Sequence, residues 1–78
     1  MSTKNYKAIV EAILFTMGES VELSKIANTI ELDNKKTQKI LEELQDEYNS
    51  SDRGITIMEL DGSYQMCTKT EMYEYLIK

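Results

Sequence analysis

Asp61-Gly62 stands between two runs of β-favouring residues, ITIMEL and SYQMCT. A two-residue Asp-Gly loop takes a type I′ turn, whose twist matches that of the strands it joins. That turn fixes the pairing: Leu60 opposite Ser63, Glu59 opposite Tyr64, Ile57 opposite Met66. Side chains alternate along a strand, so a one-residue slip would reverse both faces. In this register Ile55, Ile57 and Met66 share a face able to cover helices. Met58 and Leu60 take the other face, beside Gln65 and Cys67.

The chain ahead of the hairpin carries helical periodicity. In DNKKTQKILEELQDEYN, Thr37, Ile40, Leu41, Leu44 and Tyr48 fall on one face. Asp33 sits at the N-cap position, and Ser50, Ser51, Asp52 and Gly54 end the pattern. Residues 6–17 make a first helix. Tyr6, Ile9, Val10, Ile13, Leu14 and Met17 form one apolar stripe, and Ala8, Ala12 and Phe15 form a second beside it. Lys4, Lys7 and Glu11 mark the polar wedge, and Gly18 is placed to close the helix in the left-handed conformation. Residues 23–30 read as a second helix with Leu23, Ile26, Ala27 and Ile30 inward. Ser20 to Glu22 have room for only a very short strand. Residues 70–78 begin a further amphipathic helix with Met72, Tyr73 and Leu76. Helix, short turn, helix, then a hairpin is the winged-helix arrangement. The expectation is one mixed α/β domain of the α+β kind over residues 1–78. It has three helices, a two-stranded β-hairpin wing and a C-terminal helix cut short by the end of the chain.

Several chemistries fit this chain poorly. Cys67 is the single cysteine and there is no histidine. No internal disulfide can form, a reducing compartment suits the chain, and a structural zinc site lacks ligands. Cys67 has no histidine base and no glycine-rich phosphate loop is present, so a non-enzymatic role without cofactor or metal is expected. No run approaches the ~20 apolar residues of a membrane span. The start, MSTKNYK, is not followed by the long uncharged apolar run of a signal peptide. A cytoplasmic, membrane-free location is expected. Net charge is −5. Lys35, Lys36 and Lys39 open the third helix, but Glu42, Glu43, Asp46 and Glu47 follow, so a solvated face is expected, with Lys39 pairing Glu42 or Glu43. The hairpin tip, Leu60-Asp61-Gly62-Ser63, carries no cation. Weak or no direct nucleic-acid binding follows. The alternative, a winged-helix DNA-binding transcriptional regulator, calls for a basic third helix and a basic wing.

The first helix also suggests a protein interface. Its apolar arc spans roughly 260° at 100° per residue. A domain this small covers about two sides of a helix, so the stripe of Ala8, Ala12 and Phe15 is left for another chain. Met58 and Leu60 on the outer hairpin face, and Tyr73 on the unfinished last segment, are further interface candidates.

Three blocks in register, VEAILFTMGESV, KIANTIELDNKKTQKILEELQDEY and RGITIMELDGSYQMCTKTEMYEYL, resemble the amino-terminal domain of the segregation and condensation protein B (ScpB) family. The matching positions are Glu11 to Phe15, Gly18 and Glu19; Leu41 to Tyr48; and Arg53, Gly54, Ile55, Gly62, Tyr64, Gln65 and Thr68. Ser20 stands where the family often has Pro, and Glu31 where Gly is common. The resemblance implies two winged-helix domains in tandem, of which this chain matches the first. It further implies a homodimer that binds the kleisin subunit ScpA and, through it, the Smc ATPase, in a nucleoid-associated condensin-like complex for chromosome condensation and segregation during cell division.

Overall fold

A computed structural model describes residues 5–77; Lys4 of the expected polar wedge and the last residue of the expected terminal helix lie outside them. The chain runs α1 (Tyr6–Met17), β1 (Val21–Glu22), α2 (Leu23–Ile30), α3 (Asn34–Asn49), β2 (Ile55–Leu60), β3 (Ser63–Thr68), a 3-10 turn (Thr70–Met72) and α4 (Tyr73–Leu76).

Each helix ends where its local chemistry dictates. The Asn5 side chain accepts from the Ala8 amide at 3.1 Å to start α1. Gly18, at φ 67°, closes it by donating to the Leu14 carbonyl; that φ is open to glycine without strain. Asp33 Oδ1 accepts from the Lys36 amide at 2.7 Å, which is the expected cap of α3. The same residue's carbonyl takes the Thr37 hydroxyl at 2.8 Å, so this buried polar side chain has its partner.

The end of α2 is less comfortable. Leu32 donates to the Ala27 carbonyl and Glu31 to the Asn28 carbonyl, at 3.0 and 3.3 Å. This paired 6→1 and 5→2 pattern is a Schellman closure, with Leu32 packed against the core beyond it. The left-handed position is Glu31, at φ 62° and ψ 40°. A side chain there is crowded against its own backbone, a strain of roughly 1–2 kcal/mol that glycine avoids at some cost in chain entropy. Glu31→Gly is therefore expected to stabilise the domain by about 0.5–1 kcal/mol. Urea unfolding at fixed protein concentration measures it.

The hairpin has the expected register: Ile57 faces Met66, Glu59 faces Tyr64 and Leu60 faces Ser63. Asp61 and Gly62 both have positive φ, 52° and 88°, as the type I′ turn requires. The sheet has one strand more than the hairpin. β1 pairs with the free edge of β3, Val21 beside Tyr64 and Glu22 beside Ser63, giving the order β1-β3-β2. An unpaired strand edge offers backbone groups to whatever extended chain passes it. Leu23 then donates to the Gly62 carbonyl, so α2 begins against the hairpin turn.

The core lies where three helices meet one face of this sheet. Val10 and Leu14 of α1, Ile26 and Ile30 of α2, and Leu41, Leu44 and Tyr48 of α3 pack with Val21, Ile57 and Tyr64. Leu23, Ile40 and Met66 pack at its margin. The sequence reading is corrected at several points. In the α1 stripe Ile9 and Met17 are each 38% exposed, because α2, eight residues long as expected, cannot cover its full length. Ile55, assigned to the covered face, stays 39% exposed at the strand end. The terminal segment is a 3-10 turn and a single α-helical turn rather than a continuous amphipathic helix. Among the described residues the ion pairs belong to Lys7, not Lys39. Lys7 reaches Glu47 and, at 3.4 Å, Glu43, crossing from α1 to α3. The exposed Lys39 stays in water, where an i,i+3 or i,i+4 pair is worth only a few tenths of a kcal/mol.

Candidate functional site

The outer side of α1 meets the open end of the sheet. Ala12 and Phe15 lie there with Ile55 and Met66 around a hollow of about 290 Å³ whose base includes Tyr48 and Glu11. Phe15 is 77% exposed, an unusual setting for the only phenylalanine in the chain. The helix places it there because Val10 and Leu14 point to the core, and position 15 lies one residue, or about 100°, beyond position 14. The result is an aromatic knob next to an apolar hollow wide enough to take one.

Ala8 continues the same helical row but lies elsewhere chemically. It borders a polar notch with Lys7, Glu11, Glu47 and Arg53. Glu47, followed by Glu43, holds the Lys7 ammonium by hydrogen bonding and charge and raises its pKa. The Tyr48 hydroxyl donates to the Glu11 carboxylate, and the Arg53 guanidinium stands 5.3 Å from the Tyr48 ring centre. This notch joins α1 to the C-terminal half of α3. Burial, then the Glu11 carboxylate, pushes the Tyr48 phenol up to about 12. The folded state thus keeps its proton above the ordinary value near 10, so this stability is complete below pH 10 and is lost as pH rises toward 12. Wild type is expected to lose stability over that window, and Tyr48→Phe to flatten the loss. Denaturation midpoints from pH 8 to pH 12 check it.

The outer face of the sheet forms a second surface. Met58 and Tyr73 line one groove with Thr56, Asn49 and the half-buried thiol of Cys67. Lys69 anchors the segment that carries Tyr73, donating its amide to the Gly54 carbonyl and its ammonium to the Ser51 carbonyl, at 2.8 and 3.0 Å. Leu60 lies apart from this groove, exposed beside the hairpin turn. Of the six expected interface residues, Ala12 and Phe15 share one patch and Met58 and Tyr73 another, while Ala8 and Leu60 stand alone.

A third surface was missed by sequence reasoning. A groove of about 460 Å³ runs between α1 and α2. Ile9, Ile13 and Met17 form one wall, Lys25 and Thr29 the other, with Val21 and Ile26 below. The signal was present in the width of the α1 apolar arc, which is too broad for the two fully buried residues, Val10 and Leu14, to account for. All three surfaces offer shape and apolar contact. Among the described residues no cluster of His, Cys, Asp or Glu is arranged to hold a metal ion, and no helix is long and apolar enough to cross a membrane. The exposed face of α3 carries Lys35, Lys36 and Lys39, then Glu42, Glu43, Asp46 and Glu47, all in solvent.

Comparison with known proteins places this geometry. The model of the family "Segregation and condensation complex subunit ScpB" matches residues 8–78. Segregation and condensation protein B of Agathobacter rectalis is 65% identical over 75 residues, covering 95% of this chain and 40% of that protein. The protein of the same description from Lachnoclostridium phytofermentans is 49% identical over 78 residues, covering 100% of this chain and 41% of that protein. The chain thus spans about two fifths of the length of the curated relatives it matches. Among solved structures, a dimer of an ScpB N-terminal domain complexed with ScpA peptide matches at a TM-score of 0.86 and 40% identity, covering 91% of this chain and 89% of that one. ScpB from Mycobacterium tuberculosis, at 20% identity, shares the fold at a TM-score of 0.90 over 99% of this chain and 49% of its own length. With its caps, hairpin register and helical core in the matched segment, the chain belongs to the ScpB family.

Proposed function

We propose that this chain is a non-enzymatic interaction module of a bacterial condensin-like Smc–ScpA–ScpB complex, acting in chromosome condensation and segregation during cell division. It self-associates, binds the kleisin ScpA and reaches Smc through it, in the cytoplasm at the nucleoid. The observation that carries this reading is the likeness, at 40% identity and a TM-score of 0.86, to an ScpB N-terminal domain crystallised as a dimer with an ScpA peptide. The chain's net charge of −5 and its mixed α3 face favour a protein partner over a phosphate backbone.

The patch of Ala12 and Phe15 is the self-contact. A two-fold axis uses the same patch twice. Knob and hollow lie side by side, so each Phe15 enters its partner's hollow between Ile55 and Met66. Small Ala12 lets the second chain approach closely. The groove of Met58 and Tyr73, with Leu60 beyond it, is a second surface for a protein partner. The test is titration calorimetry of this chain with ScpA from the same genome. Saturable binding without nucleotide or DNA is expected; absence of binding, or submicromolar binding to a specific DNA duplex at physiological salt, would overturn the reading.

A further inference from the structure

The groove between α1 and α2 has no occupant from its own chain among the described residues, and its construction specifies one. Its first wall, Ile9, Ile13 and Met17, is an i,i+4,i+8 ridge of α1, about 12 Å long at 1.5 Å per residue. Its second wall, Lys25 and Thr29, is an i,i+4 pair on α2. Between them the buried side chains of Val21 and Ile26 make the floor. A trench walled by two helical ridges accepts the ridge of a third helix. Its length suits about two turns. Met17, unbranched and adaptable, stands at one end.

Charge narrows the choice further. Lys25 is the one charged residue in the lining, on a chain whose net charge is −5. A second copy seated here would have to answer Lys25 with a carboxylate, and the lining itself offers neither a carboxylate nor an aromatic knob for a self-complementary contact. An apolar helix bearing a carboxylate on its flank satisfies both walls. Ala12 lines this groove and the Phe15 hollow alike, so a helix seated here lies beside the proposed self-contact.

We infer that this groove seats two turns of an amphipathic helix from ScpA, with apolar side chains on the floor and a carboxylate paired to Lys25; the inference rests on the ScpA-binding reading above. The test measures binding of ScpA from the same genome to wild type, Lys25→Glu and Ile9→Glu, with circular dichroism and sedimentation on each. Lys25 is exposed, so its reversal is expected to leave the fold intact. Each variant is expected to bind ScpA about tenfold or more weakly while remaining folded and self-associated. If wild type binds and folded Lys25→Glu and Ile9→Glu bind equally well, the groove inference fails and the ScpA reading stands. If the folded variants become monomers, the groove is a contact between copies and the inference fails. If wild type itself does not bind ScpA, the reading beneath the inference fails first.

Discussion

Phe15→Asp is expected to give a folded monomer. The side chain is 77% exposed, so an aspartate in its place removes little core packing, and exposed substitutions of this kind usually stay within about 0.5 kcal/mol. The effect on self-association is far larger. Burying a phenylalanine contributes on the order of 1.5–3 kcal/mol, and a two-fold contact buries two of them. The loss is then roughly 3–6 kcal/mol of dimer stability, about a hundredfold to ten-thousandfold in the dissociation constant. The variant also places two carboxylates in apolar hollows beside Ile55 and Met66, which adds a desolvation penalty. Sedimentation reads the mass and circular dichroism the fold. A folded variant that remains dimeric would move the contact to the outer sheet, at Met58, Leu60 and Tyr73. An unfolded one would contradict the exposure of Phe15.

Leu41→Ala should have the opposite signature, a loss of folding. Leu41 lies at the centre of α3 with no exposed surface, among residues from all three long helices and the sheet. Removing a buried leucine to alanine takes away transfer free energy and leaves a cavity, about 3–4 kcal/mol together. A domain of this size holds roughly 4–12 kcal/mol in total. The melting temperature is therefore expected to fall by about 12–30 °C. Comparison at a single protein concentration keeps any self-association from entering the result. A shift of only a few degrees would mean that the three-helix core is not the centre of stability.

Much of this fold is written in local signals. The Asp33 cap, Gly18 closure and Asp61-Gly62 turn each act within a few residues, where backbone hydrogen bonding leaves little choice. The turn then carries its register along both strands. What escaped sequence reasoning depends on distant segments. The short strand at Val21 and Glu22 was legible, but not its partner, the edge of β3, about forty residues away in the chain. The exposure of Ile9 and Met17 follows from the short reach of α2, and periodicity counts apolar positions without saying which neighbour covers them. Lys7 pairs across two helices because the polar wedge of α1 lands on the acidic half of α3. The candidate interface shows the same division. Phe15 was legible as a residue left over on a crowded helix. Its hollow was not, since Ile55 and Met66 come from another part of the chain.

Pairing of this domain and its hold on ScpA, as proposed, are tested directly by analytical ultracentrifugation, on the chain alone and then with ScpA from the same genome. The expected result is a single species of twice the 9.0 kDa chain mass that becomes heavier when ScpA is added. A 9.0 kDa species that keeps its mass at high concentration and in the presence of ScpA would contradict both pairing and ScpA binding.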